Sequence, residues 1–297
     1  MDQACIARAH IETRTMASLV PDTSGRFLRL PRRPANSPDT ASKDTTMTSG
    51  KVTLLSAGPG DLDLLTIRAA KTLAAADILL VDDLANADIV TLAPKARVIR
   101  VGKRGGCKST PQAFIERLMQ RYARKGLHVV RVKGGDALLF GRAGEEIAAL
   151  RGAGIEVDIV NGVSSGFAAA AGLGISLTHR DHCQGVTFVT AHMRDHSEPD
   201  WRALAATGMT LAIYMGMSRI GGIAQSLLDV LPATTPAAVV QHAGSHEEKR
   251  LVTTLARLAD DAAAAGLGSP AVILVGAAIG EAAAFAAHGG RSFAHAA

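Results

Sequence analysis

The stretch Lys133-Gly134-Gly135-Asp136-Ala137-Leu138-Leu139-Phe140-Gly141-Arg142 joins two glycines to an acid, a short apolar run and a guanidinium. Glycines at a strand end either let a ligand approach the backbone or supply a positive φ in a turn. Asp136 has two matching uses: it can accept hydrogen bonds from a ligand hydroxyl or amine, or it can cap the turn that follows. A second glycine-rich loop, Ser56-Ala57-Gly58-Pro59-Gly60-Asp61, follows an apolar run and precedes a helical one, where a dinucleotide fold places its phosphate loop. It is not GxGxxG, and Pro59 has no N–H to offer a phosphate. No Lys-Ser/Thr pair follows, which excludes a P-loop. What is left is a tight turn that launches a helix, or a loop on which a ligand without phosphate packs.

Three more segments concentrate polar chemistry. In Val81-Asp82-Asp83-Leu84 the acids are adjacent, so on a strand end they point to opposite sides and cannot share a proton. Lys103 and Arg104, set among glycines, suit an anion as well as solvent. Thr178-His179-Arg180-Asp181-His182 follows an apolar helix. His179 with His182, or the i,i+4 pairs His192/His196 and His242/His246, would begin a metal site. None has a glutamate in the zincin position or a convincing third ligand, and no metal is expected. No nucleophile elbow or Ser/His/Asp order is present.

The elements that must hold these loops follow from periodicity. "KVTLLSA", "DILLVDD", "ARVIRVG", "LHVVRVKGGD" and "IEVDIV" read as strands, separated by helices such as "TIRAAKTLAAA" and "TPQAFIERLMQRYARKG". In the latter, Thr110 is the expected N-cap, with Pro111 at the first helical position and Gly126 past the end. Strands alternating with helices mean a mostly parallel sheet, with functional loops at the strands' carboxyl ends. Near 161–165 the character shifts to a small-residue helix. The strands "GVTFVTAH", "MTLAIYMG", "PAAVVQHAG", "KRLVTTL" and "PAVILVG" follow, and "KRLVTTL" is placed to return antiparallel. The expectation is an α/β protein of two domains, with a mostly parallel N-terminal sheet and a mixed C-terminal one. Residues 1–50, rich in Pro, Ser, Thr and Arg, read as a disordered extension, and the break in composition also suits a start at Met47. The N-terminal domain is expected over 51–160, the C-terminal domain over 161–283 and a flexible tail over 284–297.

Composition narrows the classes. The chain has 297 residues, 47% hydrophobic but only 3% aromatic, which is too few rings for stacking on bases. The net charge of +5 is not gathered into a dense basic cluster, so nucleic acid is not an expected partner and an acidic small substrate is. The three cysteines, Cys5, Cys107 and Cys183, are too scattered for a disulfide framework, and a reducing, cytoplasmic setting is expected. No apolar run reaches the ~18 residues of a membrane span.

Taken in order, "GPGDLDLLT", "VDDL", "VGKRGG", "KGGDALLFGR", "GISLTHRD", "TAHMRD", "DWRAL" and "TLAIYMG" resemble the tetrapyrrole methylase family, from about Lys51 to Gly280. The resemblance implies a homodimeric two-domain enzyme whose active site lies in the cleft between domains. It implies S-adenosyl-L-methionine as cofactor, leaving as S-adenosyl-L-homocysteine. The implied substrate is a tetrapyrrole, uroporphyrinogen III, methylated on carbon to precorrin-2 for sirohaem or cobalamin. A later precorrin such as precorrin-4, or cofactor binding without catalysis, are the alternatives. By the same resemblance Pro59, Gly134, Gly135, Asp136, Leu139, Ser164, Ser165, Met215 and Gly244 contact the cofactor. Asp82 matches the proposed proton acceptor and Lys103 the proton donor. Arg104, Arg142, Thr178, His179 and Arg180 are the candidates to meet the substrate and its carboxylates. The chain departs from the family pattern at Val81 (usually Tyr), Ala137 and Ser176 (usually Pro), Asn161 (usually Pro) and Ala191 (usually Gly).

Overall fold

The computed structural model describes residues 50–102, 110–192 and 197–282. Contacts divide the chain into the units Met1–Thr46 and Met47–Ala297, and the described residues all belong to the second. Its first half runs β1 (Lys51–Ser56), α1 (Ile67–Ala74), β2 (Ile78–Val81), β3 (Arg97–Arg100), α2 (Gln112–Ala123), β4 (Val129–Lys133), α3 (Ala143–Gly152) and β5 (Glu156–Val160). These strands form one sheet in the order β3-β2-β4-β1-β5, and every pairing in it is parallel. The expectation of a mostly parallel sheet is met without an antiparallel member.

Central strands of such a sheet are covered on both faces, so they read as continuous apolar runs. β2 is buried throughout, as is β1 after its first residue. Alternate residues feed two cores. Leu55, Leu79, Val81, Val130 and Val132 pack with Leu73 of α1, while Val52, Leu54, Ile78, Leu80 and Val129 pack with Ile115 and Met119 of α2 and Leu150 of α3.

Helix boundaries follow local chemistry. Thr66 caps α1 by accepting the Ala69 N–H at 3.1 Å. At α2 the cap expected from Thr110 is displaced by one residue. Pro111 is the N-cap, with extended backbone and no side-chain cap bond, while the Thr110 hydroxyl donates to Gly102 O at 3.3 Å. The physical reason lies in Pro111 itself. Its carbonyl already accepts the Phe114 and Ile115 N–H groups, so the helix begins after the proline rather than on it. Gly126 ends the segment at φ 80°, as the sequence suggests.

The second half begins with α4 (Ser165–Leu173), closed by Gly174 in the left-handed region. It continues as β6 (Val186–Thr190), α5 (Trp201–Ala206), β7 (Thr210–Tyr214), α6 (Ile220–Leu228), β8 (Pro236–Gln241), β9 (Lys249–Thr254), α7 (Leu258–Ala264) and β10 (Ala271–Val275). The sheet order is β6-β7-β10-β8-β9. β6 and β7 run parallel, and β10 is antiparallel to both β7 and β8. β9 returns antiparallel on β8, as "KRLVTTL" suggests. Trp201, Ile223, Leu227 and Leu258 fill one face of this sheet, and the small residues of α4 fill the other.

Candidate active site

The carboxyl ends of β1, β2, β4 and β5 lie along one edge of the first sheet, as the parallel order requires. The loop after β1 meets the loop after β4. Gly135 donates its N–H to Gly58 O at 2.7 Å, and Gly58 donates back to Gly135 O at 3.2 Å. Both glycines are left-handed, at φ 66° and 72°. The second half then closes on this edge. Asp61 donates its N–H to Gly244 O at 2.8 Å, and a Cβ on Gly244 would stand 2.7 Å from Pro59 Cγ. Phe140 packs against Tyr214 at a tilt, with ring centroids 5.0 Å apart and planes 54° apart.

Gly134 and Gly135 sit differently in this edge. A Cβ on Gly134 would come within 2.7 Å of Leu84 O and 2.8 Å of Leu84 Cβ. The neighbour that excludes a side chain there is Leu84, through its carbonyl and its Cβ. A Cβ on Gly135 would meet only Ser165 Oγ at 3.6 Å and Ser165 N at 3.9 Å. Those are ordinary contacts across the two halves, made at a buried backbone position in a conformation that side chains avoid. Asp136 caps the turn: its carboxylate accepts from Leu138 N at 2.8 Å and from Gly162 N at 3.1 Å. Ala137, where the family usually has proline, donates its N–H to Ser56 Oγ at 2.8 Å, a bond proline could not make. Leu139 is half-buried on the same turn.

Ser164 is the N-cap of α4, yet its hydroxyl makes no cap bond. It lies 2.6 Å from Tyr214 Oη, which also accepts the Gly166 N–H at 2.7 Å. Burial pushes the Tyr214 phenol above its ordinary pKa. Met215, next in the chain, is half-exposed at φ 56°, strained for a side chain of this size. The Gly244 loop is held from behind by Glu248, whose carboxylate accepts from Gly244 N at 2.6 Å and from Arg250 Nε at 2.5 Å.

The structure thus brings Pro59, Gly135, Asp136, Ser164, Ser165, Met215 and Gly244 to facing loops of the two sheets. Asp82, directly after β2, lies on the same edge. Its Oδ2 accepts from Arg131 Nη2 at 3.1 Å and its Oδ1 from the Asp83 N–H at 3.0 Å. The Asp83 carboxylate turns instead toward Gly102, so the adjacent acids do diverge. Arg142 is the left-handed N-cap of α3 (φ 58°), and its guanidinium forks onto Glu145 at 2.9 and 2.7 Å. Thr178, His179 and Arg180 lie on the loop after α4. There the His179 and His182 rings stand 4.5 Å apart, and His182 Nε2 meets Glu281 Oε1 at 2.9 Å. Lys103 and Arg104 fall outside the described residues. Among the described residues, no group of three His, Cys, Asp or Glu side chains is placed to hold a metal ion. No helix of the described residues is long and apolar enough to cross a membrane.

Sequence reasoning missed Tyr214, Glu248 and the charged pair Arg131 and Lys133 with its partner Glu146. Only Tyr214 carried a usable signal, standing beside Met215 in "TLAIYMG".

A parallel sheet and a mixed sheet, each covered by helices and meeting through glycine loops, define an α/β class. The family model described as Tetrapyrrole (Corrin/Porphyrin) Methylases matches residues 51–259, and the chain belongs to that family. Among its relatives, the uroporphyrinogen-III C-methyltransferase of Pseudomonas aeruginosa is 49% identical over 229 residues, covering 77% of this chain and 94% of that protein. The enzyme of the same name from Pseudomonas fluorescens is 45% identical over 233 residues, with 78% and 94% covered. A Thermus thermophilus uroporphyrin-III C-methyl transferase, solved in complex with S-adenyl homocysteine, superposes with a TM-score of 0.67 at 35% identity, covering 78% of this chain and all of that one. A cobalt precorrin-4 methyltransferase superposes at 0.70 with 30% identity, covering 81% and 99%. The fold is therefore common to enzymes of different steps, and overall superposition does not separate them.

Proposed function

We propose that this chain transfers methyl groups from S-adenosyl-L-methionine to carbons of uroporphyrinogen III, giving precorrin-2 for sirohaem or cobalamin. The observation that carries the reading is the convergence of Gly58, Gly135, Ser165, Pro59 and Gly244, from two sheets, on one edge. Identity supports the choice of substrate. Relatives by sequence named for uroporphyrinogen III reach 49%, and among the superposed structures the uroporphyrin-III enzyme is 35% identical against 30% for the precorrin-4 enzyme, whose superposition is no worse.

The residues present fit the cofactor. Gly135 beside Ser165, the hydroxyls of Ser164 and Ser165 and the Asp136 carboxylate offer polar groups at one place, and the turn through Pro59 suits a ligand without phosphate. Bound there, S-adenosyl-L-methionine supplies a sulfonium methyl that is already activated. The chain's part is to align an electron-rich pyrrole carbon with that methyl at about 3–3.5 Å. As the carbon is methylated its ring gains positive charge and must shed a proton. Asp82 is the carboxylate we assign to stabilise that charge or take the proton. Lys103 is assigned as donor on its place in the sequence alone. Arg104, Arg142, Thr178, His179 and Arg180 meet the substrate's carboxylates. For Arg142 this means exchanging Glu145 for a substrate carboxylate of the same fork geometry. Leu139 and Asp136 shape the methionine side of the cradle. We also propose a boundary between two domains near Asn161, a homodimer and a cytoplasmic setting.

Incubation with uroporphyrinogen III and methyl-labelled S-adenosyl-L-methionine tests the reading. Label in the tetrapyrrole with a rise in dipyrrocorphin absorbance is the expected result. Methylation of a precorrin-4 but not of uroporphyrinogen III, or cofactor binding with no transfer, would replace it.

A further inference from the structure

β4 carries two cations on the same face, Arg131 and Lys133, and both point into the layer between the sheet and α3. Their side chains are 3% and 5% exposed. Between them lies Glu146, fully buried in the first turn of α3. Lys133 Nζ donates to both Glu146 oxygens, at 3.2 and 3.1 Å, Arg131 Nε donates to Oε1 at 3.3 Å, and Gln112 Nε2 donates there at 3.0 Å. Charges this deep are costly unless paired and hydrogen-bonded, and replacing such a set with apolar groups often stabilises a protein. Stability is thus a weak reason for the set to be there.

Arg131 gives it a direction. Its Nη1 donates to Leu80 O at 3.4 Å and Val132 O at 3.1 Å, which fixes the guanidinium plane against β2 and β4. Its Nη2 is thereby aimed out of the buried layer at Asp82 Oδ2, 3.1 Å away. Asp82 is the outermost member, with its side chain 34% exposed at the edge where the loops converge. The remaining oxygen takes the Asp83 N–H. A carboxylate on a short side chain after a strand is otherwise free to turn. Here one rigid donor from below and one backbone donor fix its plane.

We propose that Arg131 is a positioning residue: anchored on buried Glu146, it sets the orientation of the Asp82 carboxylate toward the substrate. The proposal rests on the assignment of Asp82 to the developing charge. It extends that assignment by saying what holds the acid in place. Only arginine supplies this fork. A lysine at 131 has a point charge and cannot serve Glu146, two carbonyls and Asp82 in one plane.

The test uses the full chain with Arg131→Lys, Glu146→Gln, Asp82→Asn and the two double variants that contain Asp82→Asn. Single-turnover methylation of uroporphyrinogen III is measured beside calorimetric titration with S-adenosyl-L-homocysteine. Expected for Arg131→Lys is a fall in turnover of roughly 10- to 100-fold, the scale of a misplaced catalytic group, with KM and cofactor affinity unchanged. Glu146→Gln should fall in the same direction, and it stands in if Arg131→Lys does not fold. Neither change should lower turnover further once Asp82 is Asn, because groups that act through one another are non-additive. An equal loss in both backgrounds, or no loss in the first, overturns the proposal. Normal turnover of Asp82→Asn alone overturns the assignment of Asp82 itself. A crystal structure of Arg131→Lys supplies a readout independent of activity: a rotated Asp82 carboxylate is expected, and an unmoved one refutes the positioning role.

Discussion

Gly134 and Gly135 are neighbours with different needs. At Gly134 a Cβ would press on the carbonyl and Cβ of Leu84, and backbone must move to admit it. At Gly135 a Cβ would make only ordinary contact with Ser165, but the φ of 66° is not one that side chains favour. Gly134→Ala should therefore cost about 1–3 kcal/mol of stability through overpacking. Gly135→Ala should cost about 1–2 kcal/mol through the left-handed backbone alone. Their effects on ligand should separate further. Gly135→Ala places a methyl in the proposed cradle, so its affinity for S-adenosyl-L-homocysteine should drop well beyond the change in stability. Urea unfolding and calorimetry on both variants check this, and equal affinity losses would remove the ligand from Gly135. From sequence the divergence of Asp82 and Asp83 was legible, and the cap made by Asp136 was one of the two uses its position allowed, because both follow from strand-end geometry. Arg131, Lys133 and Glu146 were not. Cations alternating along a strand read as a solvated face, and nothing local reveals that α3 buries a carboxylate over them. Burial holds the Lys133 ammonium below its ordinary range, and Arg131 pushes the same way while Glu146 opposes. Between that lowered value and 10.5 the unfolded chain holds the extra proton, so raising the pH through this window adds stability. Below the window both states are charged and the contribution is absent. Lys133→Met deletes the effect. The native chain should gain on the variant in paired urea midpoints as pH climbs from about 7 toward that ordinary value, and a constant gap would contradict it.

The elements themselves were nearly all readable, since apolar runs of strand length alternate with capped helices and glycine stops. The antiparallel return of β9 followed from its place after a short turn. The strand order was not readable: that β4 lies between β2 and β1 is a matter of which neighbours cover one another, and no local signal encodes it. The missed start of α2 is a smaller case of the same limit, because Thr110 has the right type for a cap but Gly102 takes its hydroxyl. The loop after β8 shows an element set by a distant side chain. Glu248, at the approach to β9, holds Gly244 by its N–H, and Gly244 in turn receives Asp61 from the other half. Glu248→Ala should free this loop and weaken S-adenosyl-L-homocysteine binding by about tenfold, the worth of one charge-assisted hydrogen bond. Glu248→Gln keeps an acceptor and should recover most of the affinity. Titration of both variants decides it, and a Glu248→Ala protein that binds normally would show that the loop holds its shape without the clamp.

At the scale of the whole molecule, the proposed site draws on both sheets. The first offers Gly58, Pro59 and the Gly134–Leu139 turn, and the second offers Met215 and the Gly244 loop, with α4's Ser164 and Ser165 between them. Among the described residues their direct links include the Asp61 to Gly244 and Gly162 to Asp136 hydrogen bonds, the seat of Gly244 on Pro59 and the tilted contact of Phe140 with Tyr214. A ligand in this cleft would add contacts to both sides and stabilise the folded chain in proportion to its occupancy, by RT ln(1 + [L]/Kd). Loop amides at such an edge open locally more readily than those of the central strands, so ligand should slow their exchange. Saturating S-adenosyl-L-homocysteine should therefore slow hydrogen exchange at 57–61 and 134–139 of the first half together with 164–166, 215–216 and 242–245 of the second. The edge strand β3 and the far face of α6 should be unaffected, since they lie outside the converging loops. Exchange followed by mass spectrometry at several ligand concentrations gives the check, because a shared site requires both sets of amides to titrate with one dissociation constant. Protection confined to one sheet's loops would place the ligand on that half alone, and the convergence of glycines at the cleft would then be a packing contact between the halves and nothing more.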